Sequence, residues 1–382
     1  MSESIGFLVI LASGLFFSEF FKRLHLPYVV ALIIAGIVIG PLGLDIIELT
    51  PSILFLGSMG AIFLMFMAGM EARTDVLAQM RKKLAILVLM NGTIPGIVGF
   101  SVTFLFGYEL LTAIIVGTIF ISSSIAVIIP TLEEKNMIST DVGAVIIGAV
   151  ILEDLGSLFF LAAVLQTTDP TTMLPLPLLI IAVALSVLVL KILLPKIERW
   201  FFKRRERRKF EGELQFVLIA TVAVAVYFEF LGMHAIVAGF LVGLILSESI
   251  KHHQIKSKLH AISYGIFIPI FFLETGIKTD LTVFFRVPDA MYLMGAIIGG
   301  SIASKLLSGY VAGRLIGFPK RTSLLIGTAS TPQLSTSLAV AFIALELGLF
   351  DSSLQVSIVI LSMITVLLAP VMIGLLTRTK NI

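Results

Sequence analysis

Cysteine is absent from this chain of 382 residues, and charged side chains make up only 13% of it. Without cysteine, disulfides and thiolate metal sites are excluded. The sequence also lacks an HExxH zinc motif, a GxxxxGK[ST] phosphate loop and a glycine-rich dinucleotide motif. A net charge of +3 gives no indication of a nucleic-acid partner. We therefore expect neither a cofactor nor an enzymatic activity.

Apolar residues dominate the sequence instead. They make up 58% of the chain, with a mean hydropathy of +1.09, whereas soluble domains are roughly half apolar. Segments long enough to cross about 30 Å of hydrocarbon as helices recur from end to end, about thirteen in all. The segments span residues 4–21, 27–44, 52–70, 84–107, 110–132, 141–166, 174–195, 213–230, 233–248, 259–277, 289–313, 322–346 and 354–377. The alternation typical of a membrane barrel is missing, so the sequence predicts an all-α polytopic membrane protein.

Basic residues alternate between the loops, which predicts the orientation of the chain. Loops after odd-numbered segments hold most of the Lys and Arg, while loops after even-numbered segments hold almost none apart from Lys278 and Arg286. Because basic loops favour the cytoplasm, this pattern predicts an outer N-terminus and an inner C-terminus. The first segment is not expected to be a cleaved signal, since Lys22 and Arg23 follow it rather than precede it. The basic run at 196–209 is either a juxtamembrane anchor or a site for anionic lipid.

The two halves of the chain resemble each other in order. IIAGIVIG from Ile33 resembles IVAGFLVG from Ile236, GAIFLMF from Gly60 resembles GIFIPIF from Gly265, and SSSIAV from Ser122 resembles STSLAV from Ser335. The offset grows slowly, from 203 to 213 residues, as expected for a duplicated unit. We interpret residues 1–170 and 211–382 as six-helix repeats joined by a linker at 171–210. An odd linker helix would invert the second repeat, an arrangement typical of secondary transporters.

Matching positions in the two repeats carry sequences that weaken a helix. Segment 5 contains three consecutive serines, and segment 12 contains a proline among hydroxyl and amide side chains. Ser and Thr compete for backbone hydrogen bonds, and proline removes a donor. The sequence predicts that helices 5 and 12 are broken and cross near mid-membrane, unless these residues merely pack between close helices. The expected lining residues are Ser122, Ser123, Ser124, Thr331, Pro332, Gln333 and Ser335.

Two acids, Glu153 and Asp154, lie side by side in segment 6. The basic residue Lys305 lies near the middle of segment 11. A charge at a helix centre costs roughly 2.5–3.5 kcal/mol. Neighbouring helical residues point about 100° apart, so Lys305 can pair closely with only one acid. The other acid would face a cavity, where a cation and a proton compete for the same oxygens. The alternative is a buried salt bridge that only fixes the bundle.

With these residues in place, the chain resembles the monovalent cation/proton antiporter superfamily. The resemblance is strongest to the branch of bacterial and archaeal sodium/proton antiporters and glutathione-gated potassium/proton exchangers. It rests on five features in order: FMAGMEAR, LEEKNMIS, GAVILED, AIVAGFLVGLILSE and Lys305. In that family the second acid of helix 6 is the ion ligand, which falls on Asp154. The resemblance thus implies that Asp154 binds Na+ and H+, and the leading hypothesis pairs Glu153 with Lys305.

The resemblance also implies a larger organisation and a location. It implies a homodimer in a prokaryotic cell membrane, serving pH homeostasis. A core domain (residues 84–166 and 289–377) would move like an elevator against a dimerisation domain (residues 1–83 and 171–288). Two departures stand out: Glu153 stands where Asp is usual, and Pro332-Gln-Leu-Ser stands where relatives with an Asp-Asp pair often carry Pro-Arg-Gly-Glu.

Several alternatives stay open at the level of sequence. The leading prediction is exchange of Na+ or Li+ for H+, and its closest rival is K+/H+ exchange. Three alternatives belong to other functional classes: an uncoupled cation channel, an intramembrane aspartyl enzyme and a sodium/organic-anion symporter. Glu274, near the outer end of segment 10, either lines an outer funnel or is solvated at the membrane rim.

Overall fold

The computed structural model describes most of the chain. The described residues are 3–23, 27–41, 43–71, 80–138, 140–168, 176–202, 210–231, 235–247, 253–287 and 289–377. Within these ranges the regular structure is helical and contains no strand, which confirms the predicted all-α class. Residues 203–209, which are half of the basic run interpreted as either a juxtamembrane anchor or a site for anionic lipid, lie outside the described residues.

The helices follow the predicted segments closely. Their bounds are α1 Glu3–Lys22, α2 Tyr28–Ile39, α3 Pro51–Glu71, α4 Arg81–Leu105, α5 Leu110–Ile121, α6 Ile125–Glu134, α7 Asp141–Thr168, α8 Leu176–Phe202, α9 Phe210–Phe230, α10 Ala235–Ser247, α11 His253–Ile262, α12 Ile268–Ile277, α13 Val283–Arg286, α14 Ala290–Ile316, α15 Lys320–Ala329, α16 Ser335–Glu346 and α17 Ser352–Thr377. A π-helical segment, Ser263–Phe267, joins α11 to α12.

Several helices are long and apolar enough to span a bilayer. Within the described ranges, 7 such spans occur: Ser4–Phe21, Pro51–Met70, Arg81–Leu105, Glu211–Phe230, Ile255–Ile277, Ala290–Ile316 and Ser352–Thr377. Shorter apolar helices, including α5 and α16, accompany them. The chain is therefore a multi-pass membrane protein. The total number of crossings and the inverted repeat stay predictions.

The contacts divide the chain into two compact units. Unit 1 comprises residues 1–14, 47–72 and 162–274, and unit 2 comprises residues 15–46, 73–161 and 275–382. In unit 1, α3 and α10 pack most closely, and glycine permits the approach. A Cβ atom added to Gly243 would lie 2.1 Å from the carbonyl oxygen of Phe66. This is the small-residue packing expected where lipid gives helices no hydrophobic reason to associate.

In unit 2, α14 is the central helix and packs against α4, α15 and α17. Its contact with α15 is again made through glycine, because a Cβ atom on Gly309 would lie 2.4 Å from the Cα atom of Gly327. The helix ends at Gly317, whose φ of +101° suits a left-handed cap. α14 therefore holds its middle turn, which carries Lys305, against the elements that surround it.

Candidate functional site

Both predicted helix breaks are present in unit 2. α5 ends at Ile121 and α6 begins at Ile125, so the three serines form an extended connection. α15 ends at Ala329 and α16 begins at Ser335, with Pro332 in the gap. Backbone groups of both connections are thereby released from the helical hydrogen-bond ladder and can bind other partners.

The two breaks contact each other directly. The backbone N–H of Ser124 donates to the carbonyl oxygen of Pro332 at 2.7 Å. The Ser123 hydroxyl lies 2.9 Å from the carbonyl oxygen of Ser330, and the hydroxyls of Ser122 and Ser337 lie 2.8 Å apart. The freed backbone groups thus bond across the breaks, and the predicted crossing of the two helices is observed.

Glu153 of α7 and Lys305 of α14 form a buried ion pair beside this crossing. Their side chains have a relative exposure of 0%, and Nζ of Lys305 lies 3.1 Å from Oε2 of Glu153. Lys305 also donates to the carbonyl oxygen of Ile121 at 2.6 Å and to the hydroxyl of Ser123 at 2.9 Å. Of the two adjacent acids, Glu153 is therefore the one that the lysine neutralises.

Asn91 of α4 completes the surroundings of Glu153. Its Nδ2 donates to Oε1 of Glu153 at 2.8 Å and to the hydroxyl of Ser330 at 2.9 Å. Its Oδ1 accepts a hydrogen bond of 2.6 Å from the Ser308 hydroxyl. Sequence reasoning missed this fully buried residue. The available signal was a lone amide in the apolar segment 4, since polar side chains at such depth are rarely without a partner.

Asp154 differs sharply from its neighbour. It is 1% exposed, and neither of its carboxylate oxygens has a hydrogen-bond partner among the described residues. The Thr336 side chain and the Ser123 backbone N–H are directed towards this carboxylate, but neither meets the geometry of a hydrogen bond. A buried charge without a hydrogen-bonded partner is costly, so such a carboxylate is expected to bind a proton or a cation. We refer to it as the Asp154 site.

Of the remaining predicted lining residues, Gln333 and Thr331 form hydrogen bonds, and Ser335 is buried. Gln333 is 0% exposed, donates from Nε2 to the Ser301 hydroxyl at 3.1 Å, and donates from its backbone N–H to Thr365 at 3.1 Å. The Thr331 hydroxyl donates to the carbonyl oxygen of Thr328 at 2.8 Å. Ser335 is buried at the start of α16. Gln333 therefore links the second break to α14 and α17.

Glu274 is not part of this constellation. It belongs to unit 1 and is only 7% exposed. Its carboxylate lies against α3, where a Cβ atom on Gly57 would come within 1.5 Å of Oε2. Of the two sequence-based interpretations, solvation at the rim does not fit this burial, and a place in an outer funnel stays a prediction.

The fold and the site together define a class of protein. Interrupted helices that meet around a buried acidic group, within a multi-pass helical bundle, are typical of secondary active transporters. Among the described residues no cluster of three or more His, Cys, Asp or Glu could hold a metal ion.

The chain belongs to the sodium/hydrogen exchanger family, whose transmembrane model matches residues 7–379. Members of this family are membrane transporters, so the prediction that the chain is not an enzyme is confirmed. The resemblance drawn from GAVILED and Lys305 is likewise confirmed at the level of the family.

Individual relatives cover almost the whole chain. A protein of Methanocaldococcus jannaschii named probable Na+/H+ antiporter 3 is 33% identical over 373 residues, which are 96% of this chain and 95% of the relative. The Na+/H+-K+ antiporter GerN of Bacillus cereus is 26% identical over 92% of this chain and 90% of its own. The structure of the sodium proton antiporter MjNhaP1 from M. jannaschii at pH 8 matches with a TM-score of 0.75 and 17% identity, over 97% of this chain and 96% of that one. This structural likeness shows a shared fold.

Proposed function

We propose that this chain is a secondary antiporter that exchanges Na+ for H+, and that Asp154 binds both ions in turn. The observation that carries the proposal is the contrast between the two acids. Glu153 is neutralised by Lys305, whereas the oxygens of Asp154 have no hydrogen-bond partner among the described residues. The names of the relatives support exchange of sodium for protons.

Coupling follows from electrostatic competition at the Asp154 site. One carboxylate deep in the protein can be neutralised by a proton or by a cation, but binding of one removes the charge that attracts the other. The site therefore carries either ion across the membrane and returns with the other. Hydroxyl and carbonyl oxygens at the crossing are suited to replace part of the hydration shell of a monovalent cation.

We propose an elevator-type movement for the change of access. Asn91, Ser123, Glu153, Lys305 and Ser330 all belong to unit 2, so the site can move as one body without losing its internal hydrogen bonds. In this mechanism the predicted core domain (84–166 and 289–377) carries the site. The dimerisation domain (1–83 and 171–288) would hold two copies together in the cell membrane. The proposal retains the outer N-terminus and the inner C-terminus predicted by the basic loops.

The proposal also concerns which monovalent cation the protein selects. Na+ is the leading substrate and Li+ its natural analogue, being smaller and of the same charge. K+/H+ exchange is a second candidate because one relative is named as an Na+/H+-K+ antiporter. An uncoupled cation channel is the remaining alternative, and the experiment must distinguish it from an antiporter.

The proposal is tested with purified protein in proteoliposomes that contain a pH-sensitive dye. After an acid load, addition of Na+ should alkalinise the lumen, and parallel additions of Li+ and K+ give the order of preference. Asp154→Asn should abolish the response. Asp141→Asn makes the same change at an exposed acid of the same helix, which pairs with Lys83 at 3.5 Å, and should retain it.

Movement of Na+ without any change in luminal pH would identify a channel and refute the antiporter. Full activity of Asp154→Asn would remove Asp154 from the mechanism.

A further inference from the structure

The carboxylate of Glu153 is held from three directions. Oε1 accepts a hydrogen bond from Asn91 on α4, while Oε2 accepts from Ser123 in the first helix break and from Lys305 on α14. Each partner is a hydrogen-bond donor, and hydrogen bonds to a carboxylate are charge-assisted. Glu153 is thus held in place by groups on separate elements.

Asn91 can hold Glu153 because the side-chain amide of Asn91 is fixed in one orientation. One hydrogen of Nδ2 points to Glu153 and the other to Ser330, while Oδ1 accepts from Ser308. Rotation of the amide by half a turn would place Oδ1 against an anionic oxygen and Nδ2 against the Ser308 hydroxyl, and would lose these bonds. The Ser308 hydroxyl therefore holds the donor side of Asn91 towards Glu153.

The other half of the ion pair is equally complete. An ammonium group has three hydrogens, and Lys305 directs its own to Ile121, Ser123 and Glu153. Loss of a proton from Lys305 would leave one of these acceptors without its donor. Together Glu153 and Lys305 form a neutral unit that has no charge left for a transported ion.

We propose that Asn91 is a positioning residue that keeps Glu153 bound to Lys305 throughout the cycle, so that Asp154 alone exchanges ions and one proton moves per monovalent cation. This inference rests on the proposed antiport. Two adjacent acids and a lysine could instead carry two protons per cation. The hydrogen bonds to Glu153 argue for the one-to-one exchange, which moves no net charge.

The stoichiometry is measured in proteoliposomes as the Na+ gradient that balances a fixed pH gradient with no net flux. A membrane potential is imposed with K+ and valinomycin. One-to-one exchange leaves the balancing gradient unchanged by the potential. With two protons per Na+, a potential of about 100 mV would shift the balancing Na+ concentration ratio about 50-fold, because each turnover would then move one net charge.

The role of Asn91 is tested by the same measurement on Asn91→Ala. Without its Oε1 partner, Glu153 can take up a proton during the cycle, so the balancing Na+ gradient should become dependent on potential. Because the measurement is made at zero net flux, it does not require a fast variant. Ser308→Ala leaves Asn91 in place but removes the hydroxyl that donates to its Oδ1 and also lies 3.1 Å from the carbonyl oxygen of Lys305. It should shift the balance in the same direction by a smaller factor.

Thr103→Ala is the matched control. Thr103 is buried on the same helix as Asn91, but its hydroxyl bonds to the carbonyl oxygen of Gly99 within that helix. This variant should keep the potential-independent balance of the wild type.

The outcomes separate the two proposals. A wild-type protein that moves no protons in response to Na+ refutes the antiport itself. If the wild type exchanges ions but its balance point shifts with potential, the antiport stands and the one-to-one coupling is overturned. If Asn91→Ala and Ser308→Ala both keep the wild-type balance, the positioning role of Asn91 is overturned.

Discussion

Glu153 and Asp154 are consecutive residues of α7 with opposite surroundings. Glu153 accepts hydrogen bonds from Asn91, Ser123 and Lys305, whereas Asp154 has no hydrogen-bond partner within the described part of the chain. The separation follows from helical geometry, because consecutive side chains point about 100° apart and cannot share one partner. One acid therefore balances the lysine, and the other is available to an ion.

Removal of Lys305 should destabilise the protein as well as impair transport. Lys305→Gln leaves the Glu153 carboxylate buried without its cation, a change that typically costs about 3–5 kcal/mol. The measurement is the melting temperature of purified protein in detergent.

The double variant Glu153→Gln/Lys305→Gln provides the control, since it removes both charges and should recover much of the loss. If the single and the double variant melt at the same temperature, the ion pair is not the source of the stability.

Protons should compete with Na+ for the Asp154 site. In the pH range where the site is mostly protonated, the apparent KM for Na+ should rise about tenfold for each unit that the pH falls, as expected when one proton must leave before one cation binds. The sign is set by the carboxylate, which accepts a cation only when ionised. Initial rates of Na+-driven alkalinisation at several pH values provide the measurement. An apparent KM that does not change with pH would contradict a shared site.

The close contact between α3 and α10 should make Gly243 sensitive to a single methyl group. In Gly243→Ala the new Cβ atom would lie 2.1 Å from the carbonyl oxygen of Phe66, so the helices must separate. Overpacking of this kind typically costs about 1–3 kcal/mol.

Gly92→Ala makes the same substitution in α4, where the added atom would meet no described atom within 4 Å. It should be neutral or stabilising by up to about 1 kcal/mol, because alanine favours a helix over glycine. Equal melting temperatures of the two variants would show that the contact is not tight in the membrane protein.

Tyr108, in the connection between α4 and α5, should contribute a hydrogen bond that is insensitive to pH over the physiological range. Its hydroxyl donates to Oδ2 of Asp351 at 3.0 Å. Burial, and next the negative charge of Asp351, raise the pKa of the Tyr108 phenol above its ordinary value of 10.0. The bond is therefore fully present below pH 10.0 and is lost only as the pH rises through the raised pKa.

Tyr108→Phe should lower stability by on the order of 1 kcal/mol, equally at neutral and at mildly alkaline pH. Melting curves at two such pH values provide the check. A loss that shrinks between neutral and mildly alkaline pH would contradict this assignment.

The sequence predicted the elements of the site but not all of its contacts. The serines in segment 5 and Pro332 marked both breaks, because helix propensity is a local property. The conflict between three charges and an apolar environment pointed to Glu153, Asp154 and Lys305. The pairing of Glu153 with Lys305 was predicted with the help of the family resemblance, because helical geometry alone leaves either acid possible. The choice depends on how α7 is rotated against α14, and this rotation is set by tertiary packing.

Asn91, Ser308 and Ser330 illustrate what sequence reasoning leaves out. They come from α4, α14 and the second break, so their meeting depends on contacts between distant parts of the chain. Isolated serines are common in membrane helices, where they pack between neighbours or bond to their own backbone. Nothing local separates Ser308 and Ser330 from the other serines, whereas Asn91 is the lone amide of segment 4.

The bond from Lys305 to Ile121 has a consequence for the electrostatics of the crossing. Ile121 is the last residue of α5, and its carbonyl oxygen belongs to the negative end of that helix dipole. Lys305 therefore caps a helix terminus in addition to neutralising Glu153. This single ammonium group therefore offsets both the carboxylate of Glu153 and the negative end of α5.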